Sequence, residues 1–133
     1  MVRSGEQWDF SNAWPPLQEM IVTGLENTGD AQELAKELAT KWIENVYVSY
    51  IQSKRKMFEK YDVEQVGLPG GGGEYPVQEG FGWSNGVVMH FFSKYGGDLV
   101  SPDVPNPAIS LTKRSASTML LLPLLGIYEN FVY

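Results

Sequence analysis

The feature that most restricts the fold of this chain is an apolar repeat. Leu34, Leu38, Trp42, Ile43, Val46, Tyr47, Tyr50 and Ile51 recur at intervals of three and four. That is the period of one helix face, not of a strand. Asp30 stands ahead of the repeat with Glu33 three residues on, the spacing of a capping box. A helix is therefore predicted from Asp30 to about Lys60, roughly eight turns. Before it, Pro15 and Pro16 suit a helix's first turn, where a missing N–H costs nothing. Leu17, Met20, Ile21, Gly24 and Leu25 follow at helical spacing, and Gly29 closes this first helix. A short Thr-Gly-Asp link makes the pair an αα-hairpin. Ser84 is positioned to cap a third helix over Asn85–Tyr95, stopped by Gly96-Gly97. The chain reads as all-α.

Between the second and third helices, residues 61–83 form a long segment without a clear period. It includes the run Gly70-Gly71-Gly72-Gly73. Loops of that length in compact domains are usually functional or disordered, and the aromatics and carboxylates here favour function. Residues 98–117 are loop-like, with Pro102, Pro105 and Pro107. The apolar stretch 119–127 is too short for a spanning helix, which needs ~20 apolar residues, and it contains a proline. The small residues Ser115-Ala116-Ser117 resemble a lipid-anchor attachment site, but the polar spacer is missing, so a membrane anchor is not favoured. Residues 1–6 carry no apolar run of the signal-peptide kind.

Composition excludes several classes of function. With 133 residues the chain accommodates one ordinary domain. A net charge of -6 disfavours nucleic-acid binding. The absence of cysteine excludes disulfides and thiolate metal sites. His90 is the only imidazole, set in an apolar run, and reads as a core or rim residue rather than a metal ligand. The basic run Lys54-Arg55-Lys56 reads as a solvated helix face. No metal or cofactor is expected. Aromatics make up 13% of residues, which suits either a large core or a surface that stacks neutral rings such as sugars.

Chemistry concentrates in two loops: Gln7 to Trp14, and Glu59 to Trp83. The glycine run is not a phosphate loop, since no Gly-Lys-Ser/Thr ending follows and Glu74 would repel phosphate. Glycines also permit close backbone approach, and a hinge is the equal alternative. Glycoside hydrolysis needs two carboxyl groups, one acid and one base or nucleophile. The candidates are Asp9, Glu59, Asp62, Glu74 and Glu79, and the sequence does not rank them. Glu59 is placed near the end of the long helix, where the dipole disfavours negative charge while Lys56 and Lys60 favour it.

Three motifs then point to a family. The run Gln7-Trp8-Asp9-Phe10-Ser11-Asn12-Ala13-Trp14-Pro15-Pro16-Leu17-Gln18 resembles the trehalase signature Q-W-D-x-P-N-x-W-x-P-L-Q. Ser11 stands where the signature has Pro, a change that loosens the turn. Glu59-Lys60-Tyr61-Asp62-Val63 is similar to E-K-Y-D-V. Gly70 to Tyr75, then Gln78 to Val87, resemble G-G-G-G-E-Y and Q-[DE]-G-F-G-W-[ST]-N-G-V. They occur in the family's order over roughly residues 4–95. The resemblance implies an inverting glycoside hydrolase that splits α,α-trehalose into two glucose molecules. The implied fold is an α/α toroid of six helical hairpins, of which this chain would supply the last few with their long functional loops. Residues 1–97 would be the C-terminal part of the catalytic domain, and 98–133 a tail. The resemblance makes Glu59 the general base and Glu74 a substrate-binding residue, with Trp8, Phe81 and Trp83 as pocket walls around trehalose.

The family's general acid, an Asp in a motif like S-G-W-D-F, has no counterpart in the sequence, nor has the first signature P-G-G-R-F-x-E-x-Y-x-W-D. The chain is therefore expected to be a fragment with little or no activity alone. Cut from a closed ring, it would leave Trp42 and Tyr47 uncovered and be marginally stable. A non-catalytic protein that binds trehalose or pairs with a full-length trehalase is the alternative. A purely structural module is disfavoured by the loop motifs. Family members occur secreted, anchored and cytosolic, so the compartment stays open, with a secreted or membrane-associated setting compatible with the family.

Overall fold

The computed structural model describes residues 4–102. In chain order these form β1 (Asn12–Ala13), α1 (Pro15–Glu26), α2 (Gln32–Gln52), β2 (Tyr61–Asp62) and α3 (Gly82–Tyr95), with a short 3-10 turn at Gly96–Asp98. The fold is all-α. The two strands add one antiparallel ladder, pairing Asn12 with Asp62 and Ala13 with Tyr61. The three helices pack on one another. Residues 103–117 of the segment read as loop-like and the short apolar run 119–127 lie outside the described residues. No helix among the described residues is long and apolar enough to cross a membrane.

The core follows the apolar repeat from Trp42 onward, while Leu34, its first member, is exposed and Ala35 and Ala39 pack in its place. Ala35, Ala39, Trp42, Ile43, Val46 and Tyr50 line one buried face of α2. Val87, Val88 and Phe91 of α3 and Val22 of α1 close on it, with Leu25 and Leu38 packed at the margin. Each fully buried large apolar side chain stabilises the fold by about 1.5–3 kcal/mol relative to exposure. Ala35 and Ala39 have no side chain beyond Cβ, which lets the neighbouring helices approach α2 closely. Trp42 is not left uncovered. It is buried, with its ring edge-on to Tyr61 at 5.5 Å, and Tyr47 is half-buried, its hydroxyl accepting from Ser101. The uncovered apolar surface lies instead on α1, where Leu17, Met20 and Ile21 face solvent beside Gly24. The helical spacing there was correct, but the packed face is the one carrying Val22 and Leu25.

Both ends of α2 differ from the sequence expectation. Ala31 takes the N-cap position without a side-chain cap, so Asp30 does not cap the helix. The C-terminus comes at Gln52, eight residues short of Lys60. Lys54 and Arg55 have φ of +60° and +68°, and the Arg55 N–H donates to Tyr50 O at 2.7 Å. That is the six-to-one bond of a Schellman closure, with a lysine where glycine is usual. Lys54-Arg55-Lys56 is exposed, but as the turn beyond the helix and not as a helix face. Glu59 therefore sits in a bend ahead of β2, clear of the helix end, and the dipole argument does not apply to it. The third helix also starts early, at Gly82, with Phe81 as its N-cap. Ser84 does not cap it, because its hydroxyl is engaged elsewhere.

Candidate active site

Residues 57–63 leave the turn after α2, bury Met57 and Glu59–Tyr61, return to the surface at Val63, and are held by backbone pairing on several sides. Gly80 N–H donates to Met57 O at 2.8 Å and Glu59 N–H to Gln78 O at 3.0 Å. Gly70 N–H donates to Lys60 O, Asp62 N–H to Leu68 O and Val63 N–H to Ser11 O. From α3, the Ser84 hydroxyl donates to Phe58 O at 2.5 Å and the Trp83 indole N–H to Glu59 O at 3.2 Å. The segment that carries Glu59 is therefore fixed to both loop motifs and to the first turn of α3.

The structure ranks the carboxylates that the sequence left level. Asp9 is exposed and accepts from the Ser4 hydroxyl at 2.6 Å. Asp62 is committed to the turn, accepting from Ser11 Oγ and from the N–H groups of Glu64 and Gln65. Glu79 is exposed and pairs with Lys56 at 2.9 Å. Glu74 is exposed at the exit of the glycine run. Glu59 differs from all of them. It is 1% exposed, the only buried acid among the described residues, and neither carboxylate oxygen has a hydrogen-bond partner. Buried polar groups are nearly always satisfied, so an unpartnered carboxylate is the exception that asks for a functional reason. In this conformation it is closed to solvent, so the side chains over it must shift for water to reach it.

Beside Glu59 lies a run of aromatic rings. Trp8 stacks on Trp14 at 3.8 Å and 13°. Trp14 meets Trp83 edge-on at 5.8 Å, and Trp83 meets Phe81 at 4.8 Å. The three predicted wall residues Trp8, Phe81 and Trp83 are thus brought into one strip, with Trp83 bonded to the backbone of Glu59. Two members were missed in the sequence. Trp14, buried and donating from its indole to Gln7 O, is the ring that joins Trp8 to Trp83. Lys60, fully buried, lies with Nζ 5.3 Å from the Trp14 ring centre. The spacing Trp8 to Trp14 in the first motif, and a lysine next to the buried acid, were the available signals. Trp8 itself is 57% exposed, an aromatic face open to a ligand.

Three of the four glycines pack against the first loop, and Gly71 faces open space. A Cβ on Gly70 would lie 2.4 Å from Asn12 Oδ1, and one on Gly72 2.3 Å from Gly5 O. Gly73 N–H donates to Gly5 O at 3.0 Å, and Gly71 N–H to Asn12 Oδ1 at 2.9 Å. The close approach is to the chain's own first motif. Ser11 ties its turn to the second motif, its hydroxyl donating to Asp62 Oδ2 at 2.6 Å. A cleft of about 200 Å³ lies there, lined by Glu6, Phe10, Asn12 and Asp62 among others, and a second shallow cleft lies on the exposed face of α2. Neither opens on Glu59. His90 sits at the rim, 3.5 Å from Glu19. No cluster of three metal-ligating side chains forms among the described residues.

The buried carboxylate and its aromatic strip are carried by the three motifs that resemble the trehalase signatures. The trehalase family profile matches residues 1–96. The chain belongs to the trehalase family. It is 52% identical to a trehalase of Bombyx mori across 77% of this chain and 18% of that protein. A human trehalase is likewise 52% identical, across 74% of this chain and 17% of its own length. One from Apis mellifera is 41% identical across 97% of this chain and 22% of that protein. The chain thus spans about a fifth of the length of these trehalases.

Proposed function

We propose that this chain supplies the base side of a trehalase-type glycoside hydrolase site, which splits α,α-trehalose into two glucose molecules with inversion. The observation that carries the reading is the buried, unpartnered carboxylate of Glu59, whose backbone carbonyl accepts from Trp83 of the aromatic strip. A carboxylate that accepts no hydrogen bond from the protein has its lone pairs free for a water proton. As general base it takes that proton while the water oxygen attacks the anomeric carbon from the face opposite the departing glucose. Trp8, Phe81 and Trp83 wall the sugar, apolar ring faces against its C–H groups. Glu74, exposed on a loop fixed to the first motif, accepts hydrogen bonds from sugar hydroxyls. The helices take their place among the hairpins of an α/α toroid.

An inverting site needs a second carboxyl group, about 6.5–9.5 Å from the first, to protonate the leaving oxygen. Among the described residues the other acids are exposed, tied into a turn (Asp62) or engaged on α1 by Thr23, Lys94 and Tyr95 (Glu19 and Glu26), so we assign that role to a part of the domain with the S-G-W-D-F motif. The test is a graft. The matching fifth of the Bombyx mori trehalase is replaced by residues 1–96 of this chain, and the products of trehalose hydrolysis are followed by proton NMR. The reading expects hydrolysis, with one α- and one β-glucose released at first. A stable, folded graft without activity would overturn the site assignment, and two α-glucose molecules would overturn inversion.

A further inference from the structure

Lys60 is a buried charge that the base-catalysed reaction leaves without a task. It is 0% exposed. Its hydrocarbon stem fills the space under Gly70, where a Cβ would lie 2.9 Å from Lys60 Cγ and 3.3 Å from Cδ. Its ammonium donates to Gly72 O at 3.3 Å and faces the Trp14 ring at 5.3 Å. Its carbonyl accepts from Gly70 N–H at 3.0 Å. One side chain therefore touches the glycine run, the first motif and, through its own backbone, the segment of Glu59.

We infer that Lys60 is a positioning residue, whose ammonium holds the Trp14–Trp8 stack and the glycine run in register with Glu59. Three observations support it. The first is economy of contacts. An ammonium has three donors, and here a single carbonyl and a ring face serve it, so each of those contacts is worth more than it would be in water. The second is the neighbours. Trp14 carries Trp8 at 3.8 Å, and Gly72 and Gly73 rest on Gly5, ahead of Trp8 in the chain. Moving the ammonium would release both supports of the exposed indole together. The third is electrostatic. Burial pushes the Lys60 ammonium below the ordinary lysine range, and the adjacent Glu59 carboxylate opposes the shift without cancelling it. Trp14, Gly70 and Gly72, which pack against it, carry no charge. Burial therefore weakens the hold on the proton, and the contacts with Gly72 O and the Trp14 ring are the ones that depend on it. If the sugar stacks on Trp8, as proposed above, Lys60 sets the distance between that platform and the base. This consequence rests on that reading, but the contact itself does not.

The test is NMR on the full 133-residue chain, with Lys60→Met, which keeps the stem and removes the charge. The expected result is loss of the Trp8–Trp14 inter-ring NOEs, while the core signals of Val88 and Phe91 stay in place. In the unsubstituted chain, the aromatic carbon–proton signals of Trp14 should shift as pH rises, in step with the Lys60 Cε signal and below the ordinary lysine range. Inter-ring NOEs that survive in a folded Lys60→Met variant would overturn the proposal. So would Trp14 signals that stay fixed while Lys60 titrates. Should Lys60→Met fail to fold, the titration of the unsubstituted chain decides alone. Trehalose hydrolysis plays no part in either readout, so failure here is distinguishable from failure of the assigned reaction.

Discussion

Replacing Ser84 by alanine removes one hydroxyl and tests how the segment of Glu59 is held. Ser84 is 0% exposed and its Oγ donates to the Phe58 carbonyl at 2.5 Å. The serine-to-alanine change leaves only a small void, so the cost is mainly that of an unsatisfied buried carbonyl, about 1–3 kcal/mol. Taking ~2 kcal/mol, the folded-to-unfolded ratio falls about 30-fold. For a domain of this size Tm drops on the order of 10 °C. Urea unfolding followed by far-UV circular dichroism measures the change, with the midpoint moving and the slope constant. Ser93 provides the control, since its hydroxyl donates to His90 O at 2.8 Å from an exposed site. Ser93→Ala should stay within about 0.5 kcal/mol of the parent. If Ser84→Ala were as mild as Ser93→Ala, the hydroxyl would not be what fastens α3 to the segment of the base, and that part of the account would fall.

Within the glycine run, Gly71→Ala meets open space and should be nearly neutral, whereas Gly72→Ala, at φ +72° and 2.3 Å from Gly5 O, should cost at least ~1–3 kcal/mol; equal effects in a melting comparison would contradict the packed-loop description. Lys54→Gly should raise stability by up to about 1 kcal/mol, because an exposed left-handed lysine is replaced by the residue that prefers that conformation; a lower urea midpoint would argue against the Schellman closure. Glu26 accepts from Lys94 Nζ at 2.5 Å and from the Tyr95 hydroxyl. Burial pushes its carboxyl up, but the bonds from Lys94 and Tyr95 and the Lys94 charge outweigh it, so the folded pKa lies below the ordinary 4.5. The stability that follows is present above pH 4.5 and is lost as pH falls through the folded value. Burial, then the Glu26 bond, pushes Tyr95 up to about 12, so its contribution is present below the ordinary 10.0 and lost as pH rises through about 12. Glu26→Gln should flatten the acid side of a stability-versus-pH curve, and an unchanged acid limb would remove Glu26 from it.

The helices were legible where local chemistry decides them. Pro15 and Pro16 do occupy the first turn of α1, and Trp42, Ile43, Val46 and Tyr50 of the repeat are buried on α2, whereas Leu34 is exposed and Ala35 and Ala39, outside the repeat, fill the N-terminal part of that face. The end of α2 was not legible, because Lys54 to Lys60 is a run of acceptable helix formers. What stops the helix is a lysine in a glycine's conformation and the pairing of residues 57–62 with segments far along the chain. The start of α3 was misread for a related reason: Ser84 looks like a cap but gives its hydroxyl to Phe58 O, 26 residues away. In the site, the motifs drew attention to the right loops. Residue types alone did not separate Glu59 from Asp9, Asp62, Glu74 or Glu79, since burial and absence of partners are properties of packing; only the resemblance to E-K-Y-D-V singled it out. Trp14 and Lys60 were passed over because each looks like filler until Trp8 and the glycine run are seen resting on them.

The most direct test of the account is Glu59→Gln in the grafted trehalase, with trehalose turnover and thermal unfolding measured together. Glutamine keeps the shape and cannot take the proton, so kcat should fall by about 10²–10⁴-fold with Tm essentially unchanged. Near-parent turnover in a folded Glu59→Gln graft would contradict the assignment of the base.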